Sequence, residues 1–91
     1  MSITPEQVVQ AIYRTEGGSK TSHPFGIMTK YHNTSPHDAC LNTVNHALRD
    51  YSLHRIDRTF IIFLSNRYCP PSADKQGNIN WQHNMIQILH L

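Results

Sequence analysis

Apolar residues recur at helical spacing in four stretches of this 91-residue chain. The first stretch opens with Thr4 and Pro5, a capping hydroxyl followed by a proline suited to a first helical turn. Gln7 can cap back on Thr4. The pattern predicts a helix that ends at Gly17 and Gly18, with Glu16 at its C-terminal end. Its apolar stripe consists of Val8, Val9, Ile12 and Tyr13.

Two further helices are predicted from the same signals. Ser35, Pro36 and Asp38 form a second helix start, and Asp57 can cap a third helix. The run from Phe60 to Leu64 is almost entirely apolar, which is typical of a segment surrounded by others, so we expect the third helix to be central. A buried strand is the alternative for this run, but the prolines that follow it favour a helix. The apolar positions of the second helix are Cys40, Leu41, Val44, Ala47, Leu48 and Tyr51.

The remaining segments predict one loop and one last helix. Residues 19–34 contain Pro24, Gly26 and several hydroxyl side chains, so we expect a loop with at most a short hairpin. After a polar loop at residues 72–77, Asn80 can cap a helix that carries Trp81, Met85, Ile88 and Leu89. Because a chain this short supplies one hydrophobic core, we expect a single, compact, mainly α-helical domain over residues 1–91.

Composition and charge narrow the classes of function. Apolar residues make up 38% of the chain and charged residues 15%, so it should fold in water. The longest apolar run is far below the ~20 residues of a membrane span, and no leader pattern opens the sequence. The net charge of +2 comes from scattered Lys and Arg residues, so nucleic-acid binding is not favoured. Mild basicity suits an anionic polymer such as a bacterial cell wall. We expect a monomer.

The seven histidines and two cysteines do not form a known catalytic or metal-binding pattern. No HxxxH or HExxH spacing occurs, so no metal ion or other cofactor is expected. Cys40 and Cys69 can form one disulfide, worth about 2 to 4 kcal/mol, or remain as thiols, and the sequence favours neither outcome. A Cys-His nucleophile is possible on residue types, but Cys40 lies in an apolar stripe where a structural role is more natural.

Glu16 is the strongest candidate for chemistry. A carboxylate at a helix C-terminus faces the negative end of the helix dipole, which disfavours its charged form, as a general acid requires. The glycine pair leaves the side chain uncovered and lets a ligand approach the backbone. The alternative interpretation is a solvated residue at a helix end followed by an ordinary glycine cap.

The stretch IYRTEGGSKTSHPFGIM resembles the active-site segment of the lysozyme-like superfamily, especially that of lytic transglycosylases. In that family a helix ends in a catalytic Glu, and a polar loop leads to a Gly-hydrophobic-Met motif. Here these positions are Glu16 and then Gly26, Ile27 and Met28. The loop is shorter than is usual, and Thr29 stands where the family commonly has Gln. The segments CLNTVNHALRDY, FIIFLSNRYCPP and NWQHNMIQIL look like the supporting helices of small lysozyme-like domains.

The resemblance implies cleavage of the β-1,4 bond between MurNAc and GlcNAc in peptidoglycan glycan strands, in the periplasm or outside the cell. Glycosidases normally use two carboxyl groups. No acidic residue lies between Glu16 and Asp38, whereas a lytic transglycosylase needs only one acid/base because the 6-hydroxyl of the substrate captures the sugar. The carboxylate count and the resemblance therefore agree, and a hydrolase that uses a positioned water is the alternative.

Substrate-binding residues are expected in the loop after Glu16 and among the aromatic residues. Tyr68 and Trp81 can stack on sugar rings beside the polar Asn66 and Asn80, although core packing is the more natural role for Trp81. The loop candidates are Ser22, His23, Gly26, Ile27, Thr29 and Tyr31, which can bind substrate or hold a water.

A non-catalytic helical module competes with the enzyme. It would be a wall-binding or inhibitor domain, or a small DNA-binding unit. A DNA reader should gather its cations on one helix face, but Arg49, Arg55, Arg58 and Arg67 are spread over different elements.

Overall fold

The computed structural model of this chain describes residues 2–18, 25 and 34–91. It contains four helices, α1 (Pro5–Thr15), α2 (Pro36–Asp50), α3 (Arg58–Tyr68) and α4 (Lys75–Leu89). No strand occurs within those described ranges, so the prediction of a mainly α-helical fold is confirmed. The hairpin considered for residues 19–34 falls almost entirely outside the described residues. No helix in the described ranges has the length and apolar character needed to cross a bilayer.

The first three helices begin where the sequence predicts. Thr4 and Gln7 form a reciprocal capping box, in which the Gln7 N–H donates to Thr4 Oγ1 at 3.2 Å and the Thr4 N–H donates to Gln7 Oε1 at 2.7 Å. Ser35 caps α2, and Asp57 caps α3, each by accepting a hydrogen bond from an N–H of the first turn. These side chains satisfy backbone donors that have no partner inside the helix.

The fourth helix begins earlier than predicted. Its N-cap is Asp74, whose Oδ1 accepts a hydrogen bond from the Gly77 N–H at 2.9 Å, so the assignment of Asn80 as the cap is wrong. A Cβ at Gly77 would lie 2.3 Å from Asp74 Oδ2, so only a glycine leaves room for this carboxylate. The earlier start puts Asn78, Trp81 and Met85 on one buried helix face.

The helices pack as a ring. Helix α1 packs against α2 and α4, and α3 packs against the same two helices, whereas α1 and α3 make no close backbone approach. The expectation of a central α3 is therefore wrong, and Ile62 on its outer side is 41% exposed. One shared core fills the ring, and its fully buried large side chains include Val8, Val9, Ile12, Val44, Phe60, Ile61, Leu64 and Met85.

Candidate active site

Glu16 lies at the end of α1, as predicted. It is the C-cap residue, and its N–H donates to the Ile12 carbonyl at 2.8 Å. Gly17 and Gly18 follow with φ values of +100° and +56°, in the left-handed region where glycine is favoured. The glycine pair therefore ends the helix and leaves the Glu16 side chain half-buried at the end of α1.

The two glycines have different surroundings. A Cβ at Gly18 would lie 3.1 Å from Cε1 of Tyr13, so the missing side chain gives space to the Tyr13 ring. That ring packs on Phe25 at a centroid distance of 5.1 Å. Gly17 is exposed, so Gly17 is the glycine that leaves the backbone beside Glu16 accessible.

The Glu16 carboxylate is bound by the indole of Trp81. Trp81 Nε1–H donates to Glu16 Oε1 at 3.2 Å, across 65 residues of sequence. Trp81 lies in the middle of α4 rather than in its first turn, and only 6% of its surface is exposed. Core packing, the more natural of the two roles considered for Trp81, is the role that the structure has.

Tyr68 connects this indole to the second helix. The Tyr68 ring stacks on Trp81 with centroids 5.5 Å apart and ring planes 16° from parallel. Its hydroxyl lies 3.1 Å from the Cys40 sulfur, a hydrogen-bonding distance. A continuous chain of contacts thus joins one residue from each helix or its cap. We call these four residues, Glu16, Trp81, Tyr68 and Cys40, the site cluster.

Cys40 has a structural role in this cluster. Burial raises the pKa of the Cys40 thiol to about 11, and the negative charge of Glu16 acts in the same direction, against the hydrogen bond with Tyr68. The thiol is therefore protonated near neutral pH, which disfavours Cys40 as the nucleophile of a Cys-His enzyme. Both cysteines are free, so the Cys40–Cys69 disulfide, one of the two outcomes considered, is not formed. Cys69 instead ends α3, and its carbonyl accepts a hydrogen bond from Asn78.

A buried polar network beside Trp81 was not predicted. Asn78 Nδ2 donates to the Cys69 carbonyl at 2.8 Å and to Ser65 Oγ at 3.2 Å. Gln82 Nε2 donates to Asn78 Oδ1 at 2.8 Å. Asn66, a predicted substrate-binding residue, is exposed, and its Oδ1 lies 3.5 Å from Asn78 Nδ2 at the edge of this network. The network joins α3 to α4 one helical turn before Trp81.

The other five acidic residues have structural partners. All six carboxylates of the chain lie in the described part of the structure. Glu6 contacts Gln10 and His37, and Asp38 contacts the other nitrogen of the same imidazole. The remaining three are Asp50, which pairs with Arg67 at 2.9 Å, and the helix caps Asp57 and Asp74. Glu16 alone has its carboxylate bound by an indole.

The loop candidates are not placed by the structure. Ser22, His23, Gly26, Ile27, Thr29 and Tyr31 all lie outside the described residues, as does Met28. Within the described part, no three His, Cys, Asp or Glu side chains lie together as a metal ion would require. A cavity of about 300 Å³ lies between α1 and the end of α4, lined by Ile3, Ala11, Leu89 and their neighbours, and Glu16 is not part of its wall.

No protein-family model, curated protein or solved structure matches this chain. The domain is helical, and the half-buried Glu16 carboxylate accepts a hydrogen bond from the neutral Trp81 indole. Among the residues that the structure describes, no cation pairs with Glu16.

Proposed function

We propose that this protein is a peptidoglycan-cleaving glycosidase of the lytic transglycosylase type, with Glu16 as its only acid/base residue. The observation that carries the proposal is a difference in partners: the Glu16 carboxylate accepts a hydrogen bond from a buried indole, whereas the other five carboxylates serve as caps or surface partners. The resemblance of the segment around Glu16 to the active-site segment of that family gives the substrate class.

One carboxyl group is sufficient for the proposed reaction. The acid form of Glu16 protonates the glycosidic oxygen as the bond from the MurNAc C1 to that oxygen breaks. The resulting carboxylate then takes the proton from the 6-hydroxyl of the same MurNAc as its oxygen bonds to C1. Protons balance within the cycle, and the product is a 1,6-anhydro sugar. Because the Trp81 indole occupies Oε1, we assign the proton transfers to Oε2.

The substrate sets the proposed partner and location. Glycan strands of the cell wall are reached in the periplasm or outside the cell, and a net charge of +2 suits an anionic polymer. A reaction that moves only protons and one sugar bond needs no cofactor. The protein would act as a monomer, because its proposed acid/base residue and the donor that binds it belong to one chain.

Digestion of purified peptidoglycan tests the proposal. Wild type, Glu16→Gln and Glu6→Gln are compared, with mass spectrometry of the soluble products. Glu6→Gln is the matched control, because it makes the same chemical change on the exposed part of the same helix. Wild type and Glu6→Gln should release anhydro-muropeptides, and Glu16→Gln should be slower by about 100-fold or more.

The products distinguish the alternatives. Reducing-end products from wild type, absent with Glu16→Gln, would make the protein a lysozyme-type hydrolase with a positioned water. If all three proteins release products equally, or if none releases any, the proposal of an enzyme is contradicted. Sedimentation with insoluble peptidoglycan would then test a wall-binding module.

The structure gives no support to the DNA-binding alternative. Arg55 and Arg67 each bind a carboxylate, that of Asp57 and that of Asp50 respectively. Arg58 donates to the backbone carbonyl of Leu91. Three of the four arginines considered for a DNA-binding surface therefore already have partners within the protein.

A further inference from the structure

The only polar side-chain atom of Trp81 points at the candidate catalytic carboxylate. With 6% of its surface exposed and one face against Tyr68, the indole is buried in the protein interior. We propose that Trp81 is a positioning residue, which fixes the Glu16 carboxylate through its N–H group. The catalytic part of this inference rests on the proposed function, whereas the pairing itself does not.

The indole is held from two directions. Tyr68 stacks on its ring, and the Tyr68 hydroxyl contacts the buried Cys40. One turn earlier on α4, Asn78 is bound to the end of α3 through the Cys69 carbonyl and Ser65. A side chain constrained in this way keeps its N–H direction constant, and this direction orients the carboxylate.

The chemical nature of the donor also suits an acid/base residue. An indole N–H donates a hydrogen bond but carries no charge and takes up no proton. A lysine or arginine at this place would hold the carboxylate in its ionised form. Trp81 can therefore orient Oε1 while Oε2 remains able to lose and regain a proton.

Nuclear magnetic resonance of the indole N–H tests the pairing without any substrate. Trp81 is the only tryptophan, so ¹⁵N-labelled protein gives one indole cross-peak. Titration from acid to neutral pH should move this peak in one step for wild type and for Glu6→Gln, and the step should be absent for Glu16→Gln. Burial raises the pKa of the Cys40 thiol to about 11, so this thiol stays protonated throughout the range. A peak that moves equally in wild type and Glu16→Gln would overturn the inference.

Kinetics of Trp81→Phe test the positioning role. Phenylalanine keeps a flat ring against Tyr68 and removes the N–H, so kcat should fall about 10-fold with little change in KM. A raised KM with unchanged kcat would overturn the role, because it would indicate an aromatic residue that binds sugar.

If Trp81→Phe fails to fold, Glu16→Leu tests the pairing, because leucine removes the acceptor. This variant should lose the wild-type indole shift, and an unchanged shift would overturn the pairing. A wild type that shows the titration step but cleaves no peptidoglycan would contradict the proposed function and leave the pairing established.

Discussion

Gly77 is the residue at which a helix-favouring substitution should fail to stabilise the protein. In the third position of α4, Gly77→Ala removes the entropic cost of a glycine, which is worth about 0.8 to 1.0 kcal/mol inside a helix. The new Cβ would lie 2.3 Å from Asp74 Oδ2 and 2.7 Å from its Cγ. The Asp74 carboxylate must therefore rotate away from the N–H that it caps.

The two effects are of similar size. Loss of an N-cap costs about 1 kcal/mol, so Gly77→Ala should change the free energy of unfolding by about zero. In an Asp74→Ala background the cap is already absent, and the same substitution should stabilise by about 1 kcal/mol. The structure thus predicts a coupling of about 1 kcal/mol between these two positions.

Urea unfolding of the four proteins in this double-mutant cycle measures the coupling. Far-ultraviolet circular dichroism follows the helices, and the fluorescence of Trp81 follows the packing of the same helix. If Gly77→Ala stabilises both backgrounds equally, to within about 0.3 kcal/mol, the contact between this Cβ and the carboxylate does not govern the start of α4.

Two further predictions concern titration and thiol reactivity. The hydrogen bond with Glu6 raises the pKa of His37, and hydrogen bonds with Gln10 and His37 lower the pKa of Glu6. The contribution of His37 to the free energy of unfolding is complete below pH 6.5 and is lost as the pH rises through the folded pKa of His37. The contribution of Glu6 is present above pH 4.5 and is lost as the pH falls through the folded pKa of Glu6. Wild type should therefore exceed His37→Gln in unfolding free energy most between pH 4.5 and 6.5, and a difference that is constant with pH would contradict this. At pH 8 a thiol reagent should modify Cys69 in the native protein and Cys40 only after unfolding, because Cys40 is fully buried with a pKa of about 11. Rapid modification of both thiols in the native protein would contradict this prediction. So would a protein that takes up no reagent after denaturation without reductant.

The helix starts show what a local pattern can predict. Thr4, Ser35 and Asp57 are predictable as caps because each cap and the N–H group that donates to it lie only three residues apart. The start of α4 is not predictable in this way, because Asp74 and Asn80 are both good caps and the local sequence does not choose between them. In the structure Asp74 is the cap, and the polar Asn78 is buried against partners in α3 that no local pattern specifies.

The position of α3 shows a second limit. Its apolar run predicted a helix surrounded by other helices, yet α3 packs against two neighbours only. Side chains cover part of its outer face, since the Arg67 guanidinium lies 5.1 Å from the centre of the Phe63 ring. Hydropathy counts a residue as apolar whether a helix or a long charged side chain covers it.

The position of Glu16 in the candidate site could be predicted from the sequence, but the contacts around it could not. Glu16 could be placed at a helix end because the glycine pair that ends the helix follows it directly. Its contact with Trp81 could not be predicted, because it depends on the packing of α1 against α4 across 65 residues. The contact of Tyr68 with Cys40 is equally remote from any sequence motif, since these residues are 28 positions apart.

The pairing of the first helix with the last has a consequence for biosynthesis. At about 5 to 20 residues per second, a ribosome needs roughly 3 to 13 s to proceed from Glu16 to Trp81. During that interval α1 can form, but its terminal carboxylate has no indole to bind. The bond between these two side chains therefore arises only after α4 has emerged and docked, so it marks a chain in which all four helices of this domain have been synthesised.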